Sequence, residues 1–407
     1  MQHIEGGVCA AKGFRAGGVW CGIKDGSHKP DLALIYSKTA CVSAAVFTTN
    51  RVKAAPVIVT REHCKDGKIQ AVIANSGFAN ACTGEPGLAL ARRMAFLIAD
   101  EFTIPERNVA VASTGVIGVS LPIAAIEAGV SALADSTSAD ASGAESALTA
   151  IMTTDTRKKS DAVEINIHGR PVHIGAMVKG SGMIHPNMAT MLCFITTDAA
   201  IEQPALDAAL KDAIRASFNR LTIDGDTSTN DTVILMANGR AGNPTIALDG
   251  EDFALFSTAL RALCISLVRQ TARDGEGATK LIAVTVKGAE DEETAEALAK
   301  SVASSSLVKT AMFGADANWG RIVCALGYAR VPFNPERVSV AFSSKAGNVS
   351  VCENGQGLSF SEENAKNILL EDEIEININI GGGASAVTVW GCDLSYDYVK
   401  INGDYRS

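Results

Sequence analysis

The chain carries none of the short signatures that most often announce a chemistry. It has no G-x-S-x-G elbow, no H-E-x-x-H pair, no Walker A loop and no G-x-G-x-x-G opening a helix. Those absences set aside the commonest serine-hydrolase, zinc, phosphate and dinucleotide readings. Histidine is scarce: His3, His28, His63, His168, His173 and His185 are the full set. None is placed as an obvious general base. Only His168 and His173, on a polar hairpin, approach a metal-ligand spacing, so no metal is expected. Ten Cys never form a C-x-x-C pair, and Cys193, Cys264 and Cys324 sit in apolar runs. Scattered thiols of this kind fit a reducing cytoplasm. A net charge of -9 gives no nucleic-acid footprint. No apolar run reaches membrane-spanning length, so no membrane partner is expected. The stretch Met1 to Gly7 lacks the basic region and apolar core of a signal peptide. No internal repeat stands out.

What is present is a globular composition, 47% hydrophobic and 20% charged over 407 residues. That length supports two domains or one large α/β unit with a sizeable core. Strands are expected at Cys41 to Thr48, Ala71 to Asn75, Val109 to Ser113, Thr232 to Ala237, Leu281 to Lys287, Val338 to Phe342, Ile374 to Ile380 and Val387 to Trp390. Helices are expected at Leu88 to Phe102, Pro122 to Ala134 with Ser120 as N-cap, Pro204 to Leu221, Phe253 to Ala272 and Thr294 to Val308. Ser136 to Ala147 is the most linker-like stretch, or a weak helix. Long helices mixed with short strands predict an α/β layered sandwich.

The most informative stretch runs from Lys179 to Phe194, KGSGMIHPNMATMLCF. A loop rich in Gly, Pro and Asn passes directly into the apolar run Met191 to Ile195, which reads as a buried strand. Thr190 stands at the junction. By itself this is an ordinary loop-to-strand transition. Ala112 to Gly118 likewise reads as a strand-to-helix turn whose small residues expose backbone N–H groups, the material of an oxyanion hole. Asp274 to Lys280 closes a long helix, and Gly275 and Gly277 suit its C-terminus. A carboxylate between two glycines, Glu276, also has free access to a ligand.

The Lys179 to Phe194 peptide resembles the processing site of the ornithine acetyltransferase family, the bifunctional glutamate N-acetyltransferases. Further blocks carry the resemblance along almost the whole chain: Ala74 to Gly84, Ile151 to Thr156, Thr222 to Asp231, Gly314 to Arg321 and the tail Tyr398 to Ser407. The resemblance implies a self-processed architecture of the N-terminal-nucleophile kind. The chain would cut itself between Ala189 and Thr190, giving an alpha chain of residues 1–189 and a beta chain of 190–407. Chemistry supplies an independent reason. An internal Thr hydroxyl has no nearby base, whereas a terminal Thr carries its own α-amine, with a reference pKa of about 7.7. The shortage of candidate histidine bases favours such a mechanism.

The resemblance also implies the other roles. Thr114 and Gly115 would line the oxyanion hole. Thr153, with Thr154 beside it, Lys179, Glu276, Asn402 and Ser407 would contact substrate. Glu276 would meet the side-chain ammonium of ornithine and Lys179 a carboxylate, unless Lys179 is a solvated loop residue. The family tail more often has Ala and Thr where this chain has Gly403 and Ser407. The implied reaction moves an acetyl group from N2-acetylornithine to glutamate through an acetyl-Thr enzyme, with no metal or redox cofactor. Acetyl-CoA stays open as a further co-substrate. Two alpha and two beta chains would form a heterotetramer. The rival readings are a self-processed aminopeptidase or amidohydrolase, and a scaffold of the same fold with an inert Thr190.

Overall fold

The computed structural model describes residues 1–24, 26, 28–185 and 191–404. Among these the chain builds three sheets. The central one has six strands in the order Gln2–Ile4, Lys159–Ile167, Arg170–Lys179, Leu192–Thr197, Thr232–Ala237, Val42–Phe47. A four-stranded sheet orders Phe14–Val19, Leu32–Ser37, Ala71–Phe78, Val109–Val116. The third sheet, also six-stranded, is built from segments between Leu281 and Cys392.

The first two sheets pack face to face, and helices cover their outer faces. Side-chain alternation shows why. Along Leu192–Thr197, Leu192 and Phe194 enter the core shared with the four-stranded sheet, while Cys193 and Ile195 enter the core under the helices Gln203–Ala216 and Glu251–Arg273. Thr232–Ala237 divides in the same way, Ile234 and Met236 against Val233 and Leu235. A strand buried on both sides needs a continuous apolar run, which is what Met191 to Ile195 supplies. Each fully buried side chain of this size contributes about 1.5–3 kcal/mol. Helices Ala55–His63, Gly84–Phe102 and Ile123–Ser136 cover the far face of the four-stranded sheet. In Gly84–Phe102 the buried Ala91, Met94, Ala95 and Ile98 recur at helical spacing. The result is the expected α/β layered sandwich, with helices outside two stacked sheets. No helix among the described residues is long and apolar enough to cross a membrane.

Several local expectations are corrected. Thr114 and Gly115 are not a turn beyond the strand but lie inside its final residues, in Val109–Val116. The helix expected from Thr294 to Val308 is two, Glu292–Ala303 and Ser306–Phe313. Ser305 breaks it by capping the second, accepting the amide of Val308. Ser120 caps nothing: the helix begins at Ile123, after Pro122. Of the two readings of Ser136 to Ala147, linker or weak helix, the helix is found, as Ala141–Ile151, capped by Asp140, whose carboxylate accepts the amides of Ser142 and Gly143. The segment expected as one helix from Pro204 to Leu221 stops at Ala216 and ends in the short 3-10 turn Phe218–Arg220.

Candidate active site

Ala189, Thr190 and Ser407 lie outside the described residues. The other sequence-expected site residues come together. A cavity of about 110 Å³ is lined by Thr114, Gly115, Thr153, Lys179, Glu276 and Asn402, with Thr154 beside them. These come from five separate parts of the chain. The two sheets bring the ends of Val109–Val116 and Arg170–Lys179 to one place. The turn after the helix Glu251–Arg273 closes a third side, and the helix Tyr396–Asp404 supplies Asn402.

Lys179 is no solvated loop residue; it ends its strand and is 4% exposed. Its Nζ donates to Thr153 Oγ1 at 2.8 Å and to Thr114 Oγ1 at 3.2 Å. A hydroxyl that accepts from an ammonium keeps its own proton to donate. Thr114 is therefore a donor backed by a positive charge. Burial pushes the Lys179 ammonium below the ordinary lysine range, and Asp155 opposes that most strongly.

Gly115 has φ +133°, a conformation that excludes ordinary side chains, and a Cβ there would collide with the backbone of Gly77 on the neighbouring strand. Val109–Val116 is the edge of its sheet. Val111 bonds outward to Thr60, and Ser113 outward to the Asn230 amide. Beyond Ser113 the pairing with Ala71–Phe78 becomes irregular at Gly77 and Phe78, so Thr114 and Gly115 sit where the ladder is disrupted. A hydroxyl and a backbone N–H at successive residues are the parts from which an oxyanion hole is made.

Glu276 sits at the helix end as expected, beyond the C-cap Asp274, with Gly277 at φ +68°. Its amide donates to Ser181 O at 2.8 Å, and its Oε2 accepts from Asn402 Nδ2 at 2.8 Å. Its carboxylate also packs so closely on Gly182 that a Cβ there would displace it. Thr154 turns its hydroxyl to Ser181 Oγ, 2.7 Å away. That leaves Thr153, the residue expected to reach substrate, on Lys179.

Sequence reasoning missed the buried acids around the cavity. Asp231 is wholly buried; its Oδ1 accepts the amide of Met191 at 2.9 Å, and its Oδ2 has no hydrogen-bond partner among the described residues. Burial raises its carboxyl far above the usual range, only partly offset by that amide, Thr48 and Lys179. Asp155 behaves oppositely. Burial pulls it up, but Lys179 and Lys159 outweigh that and hold it well below the usual range. Both acids fall inside the motif blocks Thr222 to Asp231 and Ile151 to Thr156, which was the available signal. Among the described residues no three His, Cys, Asp or Glu are grouped to hold a metal ion. His168 pairs with Asp252 at 2.9 Å, and His173 sits between Asp198 and Glu164.

This combination defines a class: layered α/β proteins with a small polar cavity where strands of two stacked sheets end, one wall carrying donors and the other a carboxylate. The chain belongs to the ArgJ family, whose model matches residues 15–407. It is 50% identical over 407 residues to the arginine biosynthesis bifunctional protein ArgJ of Caldanaerobacter subterraneus subsp. tengcongensis, covering 100% of both chains. The protein of that name from Symbiobacterium thermophilum is 50% identical over 408 residues, again with 100% of both covered. A solved structure of the argJ protein from Bacillus halodurans is 46% identical with a TM-score of 0.50; the match covers 52% of this chain and 98% of that one. The family read from the sequence motifs is thus the family found, and the chain is an enzyme of arginine biosynthesis.

Proposed function

We propose that the chain cuts itself between Ala189 and Thr190 and then transfers acetyl groups from N2-acetylornithine to glutamate. The carrying observation is the cavity that gathers Thr114, Gly115, Thr153, Lys179, Glu276 and Asn402. Thr190 is one residue before Met191, whose amide is fixed by Asp231 at the buried start of the central strand. The solved Bacillus halodurans chain, almost fully matched, covers 52% of this one. The piece that begins at Thr190 would be a little over half of the 407 residues, so the two agree in size.

In the proposed reaction, Thr190 Oγ attacks the acetyl carbonyl and its proton passes to the Thr190 α-amine. The oxyanion takes hydrogen bonds from the Thr114 hydroxyl and the Gly115 amide. Collapse breaks the amide C–N bond, and the stored proton leaves with the ornithine amine. Glutamate's amine then attacks the acetyl-Thr ester, and Thr190 Oγ is reprotonated as N-acetylglutamate departs. The two amino acids share an α-carboxylate, assigned to Lys179, and differ in side-chain charge. Asn402 and Ser407 complete the contacts from the tail. Acetyl-CoA as an alternative donor and an assembly of two alpha and two beta chains belong to the same reading.

Three measurements test it. A denaturing mass spectrum of the purified protein should show pieces of about 20 and 23 kDa, scaling 42.3 kDa over 407 residues. Incubation with acetylornithine and glutamate should yield acetylglutamate; acetate alone would instead identify a hydrolase. Because an acetyl-enzyme forms before the acceptor binds, initial rates should follow ping-pong kinetics, with parallel double-reciprocal lines. Intersecting lines would mean direct transfer in a ternary complex.

Glu276→Gln provides a sharper check on charge. Gln can still accept the Asn402 hydrogen bond, so the fold of the turn should survive. A charge-assisted hydrogen bond to the ornithine ammonium contributes about 1.5–3 kcal/mol. Use of acetylornithine should therefore fall roughly ten- to over a hundred-fold, with a smaller loss in the glutamate half-reaction. Equal loss in both halves would show that Glu276 shapes the pocket without reading charge.

A further inference from the structure

The cavity lysine belongs to a buried row of four charges of alternating sign. Lys179 Nζ lies 3.9 Å from Asp155, and Asp155 lies 2.7 Å from Lys159 Nζ. Lys159 Nζ also pairs with Asp274. None of the four side chains exceeds 5% exposure. Each acid also grips backbone. Asp155 accepts the amides of Thr153 at 3.1 Å and Gly180 at 2.7 Å. Asp274 accepts those of Thr156 at 3.2 Å and Arg157 at 3.3 Å, together with the Thr156 hydroxyl. One row of ions thus joins the segment bearing Thr153, the strand end bearing Lys179 and the turn that reaches Glu276 two residues after Asp274.

A lone ammonium this deeply buried would shed its proton. The alternating row keeps each charge beside an opposite one, and it leaves Lys179 at the cavity end with two N–H groups on Thr114 and Thr153. We propose that Asp155 is a positioning residue that sets the charge and aim of Lys179, that Lys159 tempers it, and that the pair thereby holds one fixed positive charge for the substrate carboxylate. The last clause rests on the assignment of Lys179 given above. The charge setting itself does not require that the protein transfer acetyl groups.

The groups facing Lys179 fix the signs. Asp155, Glu276 and Asp231 favour its charged form; burial, Lys159 and Lys24 oppose it. Asp155→Asn removes the strongest ally, so Lys179 should lose its proton at lower pH. Lys159→Met removes a like charge while keeping an unbranched stem, so Lys179 should hold its proton to higher pH. Both changes damage a buried ion row, so a purely structural role would give two variants that merely lose stability. Opposite shifts are peculiar to the proposal. Asp274→Asn, out of contact with Lys179, gives a third point if Lys159→Met does not fold. It takes an anion from the far end of the row and should move the midpoint in the acid direction, by less than Asp155→Asn.

The test uses the full-length protein labelled with 13C at lysine Cε. The Lys179 signal is assigned by its loss in Lys179→Met and titrated in the resting protein without substrate. The expected result is an acid shift of more than one pH unit for Asp155→Asn and an alkaline shift for Lys159→Met. Shifts of the same sign in Asp155→Asn and Lys159→Met, no shift in Asp155→Asn, or a shift in Asp274→Asn that is alkaline or as large as that of Asp155→Asn, overturn the proposal. Transfer is then followed against pH. The alkaline limb of kcat/KM for acetylornithine should move with the lysine midpoint, a loss of tenfold or more at a pH where the unaltered enzyme is fully active. A shifted lysine with an unmoved limb overturns the assignment of that charge to substrate. Absence of transfer in the unaltered protein would sink the proposed reaction alone, because the lysine titration is read without it.

Discussion

Thr190→Ala is expected to leave a single uncut chain of 42.3 kDa with no measurable acetyl transfer. Alanine has no hydroxyl to attack the Ala189 carbonyl, so the chain never gains the terminal amine that would serve as its base. Cleavage and transfer fail together because they draw on one side chain. Thr190→Ser keeps both hydroxyl and eventual amine and should cut and retain some activity. N-terminal sequencing of the larger piece of the unaltered protein should read Thr-Met-Leu-Cys, which places the cut. An uncut Thr190→Ala preparation that still transferred acetyl groups after purification to homogeneity would require a different nucleophile.

The second large effect is expected at Thr114. Thr114→Val preserves shape and β-branching but removes the hydroxyl that Lys179 polarises. Losing one preorganised oxyanion donor costs about 10²–10³ in rate. The loss should appear in kcat, with KM for acetylornithine little changed, since the donor acts where charge develops in the transition state. Lys179 forfeits one acceptor, yet Asp155 remains beside it, so the fold should hold. Slower self-cleavage is expected as well, because the attack on Ala189 also builds an oxyanion. A loss below about threefold would place the hole elsewhere.

These predictions lean on features with unequal traces in the sequence. The central strands were legible because burial on both faces forces a continuous apolar run, as at Met191 to Ile195. The strands Ser339–Ser344 and Glu373–Asn379 were legible for the opposite reason: one face is buried, and Val340, Phe342, Ile374 and Ile376 alternate with polar neighbours. Ala141–Ile151 was obscure because most of its buried residues, Gly143, Ala144, Ala147 and Ala150, are small and give little hydrophobic contrast, with Leu148 and Ile151 only at its end. Lys179 was hard to place because no local pattern announces a buried lysine. Asp155 and Lys159, which follow it in the row of charges, lie twenty or more positions away in the chain. Asp231 was hidden likewise, since its one hydrogen bond to the strand start spans forty positions. Motif blocks marked these regions as special; only the fold says what each charge opposes.

The order of strands in the central sheet governs what becomes of the two pieces after a cut. Leu192–Thr197 and Thr232–Ala237 follow the proposed scissile bond in the chain, yet they lie between strands that precede it. Arg170–Lys179 pairs with one and Val42–Phe47 with the other. The later piece is therefore dovetailed into the earlier one, edge to edge on both sides, with a core above and below. Breaking one peptide bond releases a chain end without releasing a subunit. Neither piece can slide free unless hydrogen-bonded ladders on both flanks open together. The cut product should thus behave on dilution as one molecule, its integrity independent of concentration, and the two halves should melt in a single transition.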